Sequence, residues 1–224
     1  MINVQIAESL ISYITFFIAY CISITLAGCF TAWVAWHMGD ETPIEHGFLS
    51  LNPLAHIDIL GTLFLILYNF GWGKFIPINP FNMHGRFKLF KVVFAFLAKT
   101  LAHIGLAILS LLVLLAIFGE KVLLQPLAQA YPDQSSYLLS IGLILISMLV
   151  VNMILALISF LINMCGMAVM FIVEKYPQYL VYSDIIMVLV PLILYYLLGH
   201  SLLISIFGLI QKCGYFLGAL LHVV

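Results

Sequence analysis

Charge is scarce in this chain: only 8% of its 224 residues are Asp, Glu, Lys or Arg, against about a quarter in an ordinary soluble domain. Eight Lys and Arg stand against nine Asp and Glu, a net charge of −1, so the chain lacks the basic excess that holds nucleic-acid phosphates. Cysteine is scarce as well. Cys21, Cys29, Cys165 and Cys213 lie apart in apolar stretches without a C-x-x-C pair, which excludes a disulfide framework and a zinc knuckle. No repeat of fixed period and no low-complexity tract occurs. The first nine residues hold Glu8 but no Lys or Arg, so the basic leader region of a signal peptide is missing, and the first apolar run is expected to stay in the membrane.

What fills the chain instead is apolar: 65% of residues are hydrophobic and the mean hydropathy is +1.21. Such a composition excludes a disordered chain and points to a polytopic membrane protein. A helical crossing takes about 20 apolar residues. The length therefore predicts an all-α membrane bundle of about five or six helices, a single integral membrane domain over residues 1–224 with no sizeable water-soluble part.

Leu10 to Trp36 reads as the first span. Ile57 to Phe70 is short for a crossing and reads as a re-entrant or interfacial piece. Gly71, Gly73, Pro77 and Pro80 then predict irregular backbone up to about Asn82, which at membrane depth is tolerated only against protein or a wet cavity. Val92 to Phe118 is a further span, followed by a polar connection over 119–136. The run from Tyr137 to Val173 is longer than a bilayer needs, so a break is expected near Asn163 to Gly166. Ile185 to Ile210 makes a last span, and Gly214 to Val224 is too short to cross. Half of the chain's basic residues (Lys74, Arg86, Lys88, Lys91) fall in 71–91, which the positive-inside rule assigns to the cytoplasm, with 37–56 beside it and the N-terminus outside.

Several polar stretches follow one another in a specific order: Thr31-Ala-Trp-Val-Ala35, Gly39-Asp-Glu-Thr42, Leu51-Asn-Pro-Leu-Ala-His-Ile-Asp58, Gly61-Thr62 and Gly71-Trp-Gly-Lys-Phe-Ile-Pro-Ile-Asn-Pro80. Over residues 31–82 the chain closely resembles the site-2-protease-like intramembrane zinc metalloproteases of the compact bacterial type, and the span arrangement agrees loosely over the rest. The resemblance implies a site-2-protease-like core with zinc as its cofactor. In that family an H-E-x-x-H on the first span puts two His on one helix face to bind zinc, while the Glu activates the metal-bound water. In register, those five positions are Ala27, Gly28, Cys29, Phe30 and Thr31. The third family ligand, an Asp in a Pro-rich break, aligns with Met167, and no Asp, Glu or His occurs from Tyr137 to Val173. The family's A-G-P-x-x-N stretch appears as Ala98-Lys-Thr-Leu-Ala-His103, keeping only the Ala. Ala27, Gly28, Thr31 and Met167 offer neither a zinc ligand of the family kind nor a base at neutral pH. The expectation is a pseudoprotease without a cofactor, one that binds transmembrane segments or regulates an active relative in a lipid membrane.

The polar residues that remain are the binding candidates. Asn52 and Asp58 read as caps of the loop backbone, with Pro53 fixing the turn; with His56 they could also hold a substrate or partner segment. Lys99 and His103 share a helix face. Lys99 either snorkels to headgroups or, with His103, marks a polar pathway, which keeps a channel or carrier open as an alternative. A rebuilt metal site from Cys29, Cys165 and His103 would instead restore an active protease. Asn152 and Asn163 read as interhelical hydrogen-bonding residues.

Overall fold

The structure, a computed structural model, describes residues 2–68, 71–123 and 135–176 and a few isolated positions beyond them. The order is α1 (Ile2–His37), α2 (Thr42–Glu45), α3 (Pro53–His56), α4 (Ile59–Tyr68), α5 (Lys88–Phe118), a 3-10 turn (Glu120–Leu123) and α6 (Ser136–Lys175). The all-helical membrane architecture expected from composition is what forms. Among the described residues three helices are long and apolar enough to cross a membrane: Tyr13–His37, Lys88–Phe118 and Tyr137–Val169. The last expected span, 185–210, is described only at isolated positions, and the tail from 214 lies outside the described residues. α4, with ten residues, reaches only about 15 Å at 1.5 Å per residue, half a hydrocarbon core, in keeping with a segment that dips rather than crosses.

The helix ends follow local chemistry. Asn52 accepts the Leu54 N–H at 3.1 Å and Pro53 takes the first position of α3. α5 stops at Gly119, whose φ of 69° suits a residue without Cβ, and whose N–H closes on the Leu115 carbonyl at 2.8 Å. Ser135 caps α6 through the Leu138 N–H.

One expectation fails here. α6 runs for 40 residues without the break expected near Asn163 to Gly166. No proline lies in it, and one internal glycine such as Gly166 costs only about 1 kcal/mol relative to Ala. The Asn163 amide is also engaged elsewhere, donating to Thr100 Oγ1 on α5 at 3.4 Å.

α5 and α6 pack antiparallel. Ala107, Leu111 and Leu115 meet Leu149 and Met153, and beyond them Leu114, Phe118 and Val122 meet Leu138, Leu139, Leu145 and Ile146. α1 joins them through Ala19, Tyr20 and Ile24, which close with Leu65 of α4 and with Val151 and Leu155 of α6. Lipid tails are as apolar as these side chains, so close packing and interhelical hydrogen bonds, rather than exclusion of water, hold such helices together. The buried polar residues of the interior therefore matter to the bundle as well as to any site.

Candidate functional site

The α1 face that the resemblance aligns with a zinc motif is closed off by its own neighbours. Ala27, Gly28 and Thr31 are buried, Cys29 is half-buried and Phe30 is exposed. The Thr31 hydroxyl donates to the Ala27 carbonyl at 2.7 Å, a bond within the helix that leaves the side chain turned back on its own backbone. Gly28 is where another element comes closest. A Cβ built there would fall on the ring of His56, so the imidazole lies directly against the α1 backbone.

His56 is 2% exposed, and its ring is held from its own loop: Nε2–H donates to the Ser50 carbonyl at 2.8 Å, and Phe48 packs beside it with ring centroids 5.8 Å apart. Burial pushes this imidazole below its ordinary range, because the cation would lose its hydration. The Ser50 carbonyl works against that shift, and the charges of Lys99 and Lys74 add to it. The neutral ring is the form that fits against α1.

Asn52 and Asp58 do what loop chemistry predicts. Asn52 caps α3, and Asp58 Oδ1 accepts the Gly61 N–H at 2.7 Å to start α4. After α4 the chain returns as an extended segment at 71–74. Ile57 and Gly73 form an isolated antiparallel bridge, and the Lys74 N–H reaches the His56 carbonyl at 2.7 Å. This return needs glycine: a Cβ on Gly61 would strike the Trp72 backbone, and one on Gly71 would strike the Gly61 carbonyl. From α1, the Tyr20 hydroxyl donates to the Trp72 carbonyl at 2.8 Å. From α5, the Lys99 ammonium donates to the carbonyls of Gly73 at 3.2 Å and Lys74 at 2.8 Å. Lys99 thus turns to loop carbonyls: among the described residues the extended segment leaves these carbonyls without strand partners, and the nearby ammonium satisfies them.

Two further polar groupings complete the region. Asp40 is fully buried and ties the end of α1 to the distant Asn-Pro stretch: Oδ1 accepts from Thr42 N (3.2 Å), Thr42 Oγ1 (2.6 Å) and Asn82 Nδ2 (2.9 Å), and Oδ2 accepts from Asn79 N at 2.7 Å. Deeper in the bundle, His103 Nδ1–H donates to Asn152 Oδ1 at 2.9 Å, and Asn152 Nδ2 donates to Ser23 Oγ and to the Met148 carbonyl, each at 2.8 Å. One bond from each partner joins α1, α5 and α6. Among the described residues His103 Nε2 is buried without a partner.

The binding candidates thus divide into two places. His56, Asn52, Asp58 and Lys99 meet around the 50–58 loop and the 71–74 return, whereas His103 belongs to the three-helix interior. Among the described residues no three His, Cys, Asp or Glu side chains form a group that could hold a metal ion, and Cys29, Cys165 and His103 are not gathered into one. Zinc, implied by the family resemblance, does not fit the residues at the corresponding positions. Ala27 and Gly28 have no donor atom, the Thr31 hydroxyl is bonded to its own helix, and Met167 is half-buried on an unbroken α6.

Sequence reading alone missed Asp40 as the knot between two loops and Gly28 as the seat of His56. Both lie in or next to stretches singled out for their resemblance, so their positions were marked although their contacts were not. Ser23 carried no signal: a serine in an apolar span is too common to stand out.

No protein-family model matches this chain, and no solved structure matches it. Among curated proteins the chain is 38% identical over 71 residues to "Putative zinc metalloprotease YwhC" of Bacillus subtilis (strain 168). The match spans about a third of each protein, 32% of this chain and 32% of that relative. The chain is a helical membrane protein with a metalloprotease-like stretch.

Proposed function

We propose that this protein is a site-2-protease-like membrane protein without zinc peptidase chemistry, which acts by holding a transmembrane segment of another protein or of an active relative. The observation that carries the reading is the state of α1 between Ala27 and Thr31. Where zinc chemistry needs two imidazoles and a carboxylate, there is a methyl group, a bare backbone covered by His56, and a hydroxyl bonded to its own helix. The scaffold around that face is kept in good order. Asp40, Asn52, Asp58, Tyr20 and Lys99 all fix loop backbone through hydrogen bonds, which suits a protein whose shape is used although its chemistry is gone.

Photo-crosslinking tests it. A photoreactive phenylalanine analogue replaces Phe30, exposed on α1 beside Thr31, in full-length protein co-expressed with single-pass membrane reporters. Adducts that map to the reporter's transmembrane segment are the expected result. Cleaved reporters, or no adduct from Phe30 when a control position far along α1 gives the same background, would overturn the proposal.

A further inference from the structure

The entrance to α5 carries a one-sided charge pattern. Between Asp58 and Glu120 there is no acidic residue, while Lys74, Arg86, Lys88, Lys91 and Lys99 all fall in that interval. Three of them cluster at the start of the helix. Met83 is fully buried and anchors the chain there, and from His84 to Phe90 every residue is exposed. Among the described residues none of Arg86, Lys88 or Lys91 pairs with a carboxylate. The Lys91 ammonium donates to the His84 carbonyl at 3.1 Å, the Arg86 guanidinium lies 5.9 Å from the Phe87 ring centre, and the Lys88 ammonium 5.8 Å from that of Phe81. Helix stability does not account for these charges: Lys88 and Lys91 stand in the opening turn of α5 with no acidic residue beside them, where cations oppose the helix dipole.

Interleaved with the cations is a second set of exposed side chains. Phe81 is 56% exposed, and Phe87, Leu89 and Phe90 are between 63% and 66% exposed. Aromatic rings on a membrane helix end belong at headgroup depth, and long basic side chains beside them reach outward from the same level. We propose that Arg86, Lys88 and Lys91, with Phe81, Phe87 and Phe90 as apolar anchors, form a docking surface for the headgroups of anionic phospholipids. Charge complementarity favours the lipid: among the described residues the patch has no counter-ion, it sits at the mouth of a helix long and apolar enough to cross a bilayer, and its apolar side chains need a partly apolar environment.

The test uses full-length protein in phosphatidylcholine bilayers doped with spin-labelled phosphatidylglycerol or with spin-labelled phosphatidylcholine, and reads the motionally restricted fraction of each lipid. The expected result is a preference for phosphatidylglycerol on the order of fivefold, about what one basic side chain gains at an anionic surface, shrinking as salt is raised. The triple variant Arg86→Gln, Lys88→Gln, Lys91→Gln loses that preference, whereas Lys121→Gln, beyond the opposite end of α5, keeps it. Equal restriction of the two lipids by the unaltered protein overturns the proposal. So does a preference that survives the triple substitution or falls equally with Lys121→Gln. The salt dependence of the unaltered protein decides the matter should the triple variant not fold.

Discussion

Replacing Gly28 by Ala tests the packing on which the functional reading stands, because two opposed effects fix the sign. In an ordinary helix interior the change stabilises by up to about 1 kcal/mol, since Ala restricts the unfolded chain. Here the new methyl group would coincide with the His56 ring, which Ser50 and Phe48 hold in place. Overpacking a well-filled interior costs about 1–3 kcal/mol, and loss of the Nε2–Ser50 bond adds about 0.5–1.5 kcal/mol if the ring is forced out. The net expectation is a destabilisation of about 1–3 kcal/mol. With His56→Ala already present the obstacle is gone, and Gly28→Ala should be neutral or stabilising by as much as about 1 kcal/mol. Unfolding equilibria in bicelles, measured for the four proteins of this double-mutant cycle, give both numbers and their coupling. A stabilised Gly28→Ala single variant, or one equally destabilised in both backgrounds, would refute the claim that His56 occupies the α1 face.

Other outcomes follow from the same contacts. Asn152→Ala removes the side-chain bonds to His103 and Ser23, and at about 0.6–1.7 kcal/mol for each interhelical bond should destabilise by roughly 1–3 kcal/mol, against less than that for Ser23→Ala; the same unfolding assay ranks them. Asp40→Ala strands the N–H groups of Thr42 and Asn79 and should cost about 2–3 kcal/mol, with faster hydrogen exchange around 79–82 while α5 and α6 keep their protection. Lys99→Met frees the Gly73 and Lys74 carbonyls, so exchange and protease access should rise at 71–74 with the helices intact, and ion flux through proteoliposomes should be no different from that of the unaltered protein. His56 titrates below its ordinary value in the folded protein, so the unfolded state takes up its proton first. Stability should therefore fall as pH drops below about 6.5, and His56→Gln should flatten that slope.

Much of this was legible in the residues. Composition and run length fixed the membrane class, and the turn chemistry of Asn52, Pro53 and Asp58 was readable because those side chains cap the backbone nearest to them. Asn152 and Asn163 were recognisable as interhelical donors, since an amide in an apolar span has few other uses. What could not be read was anything set by long-range approach. Asp40 meets Asn79 and Asn82 across some forty residues, and Lys99 reaches carbonyls 25 and 26 residues before it in the chain. The unbroken α6 was missed for a different reason: bilayer thickness argued for a break, but no residue in the run is costly enough to a helix to make one.

The central claim is that the residues from Ala27 to Thr31 no longer build a zinc site, and elemental analysis of the detergent-purified full-length protein tests it most directly. With an intact member of the zinc metalloproteases purified alongside and loading stoichiometrically, the account predicts zinc far below stoichiometric in this protein, unchanged by Cys29→Ser and Cys165→Ser. Stoichiometric zinc that survives dialysis and is lost with those cysteines or with His103→Ala would contradict it and restore a metal-dependent protease.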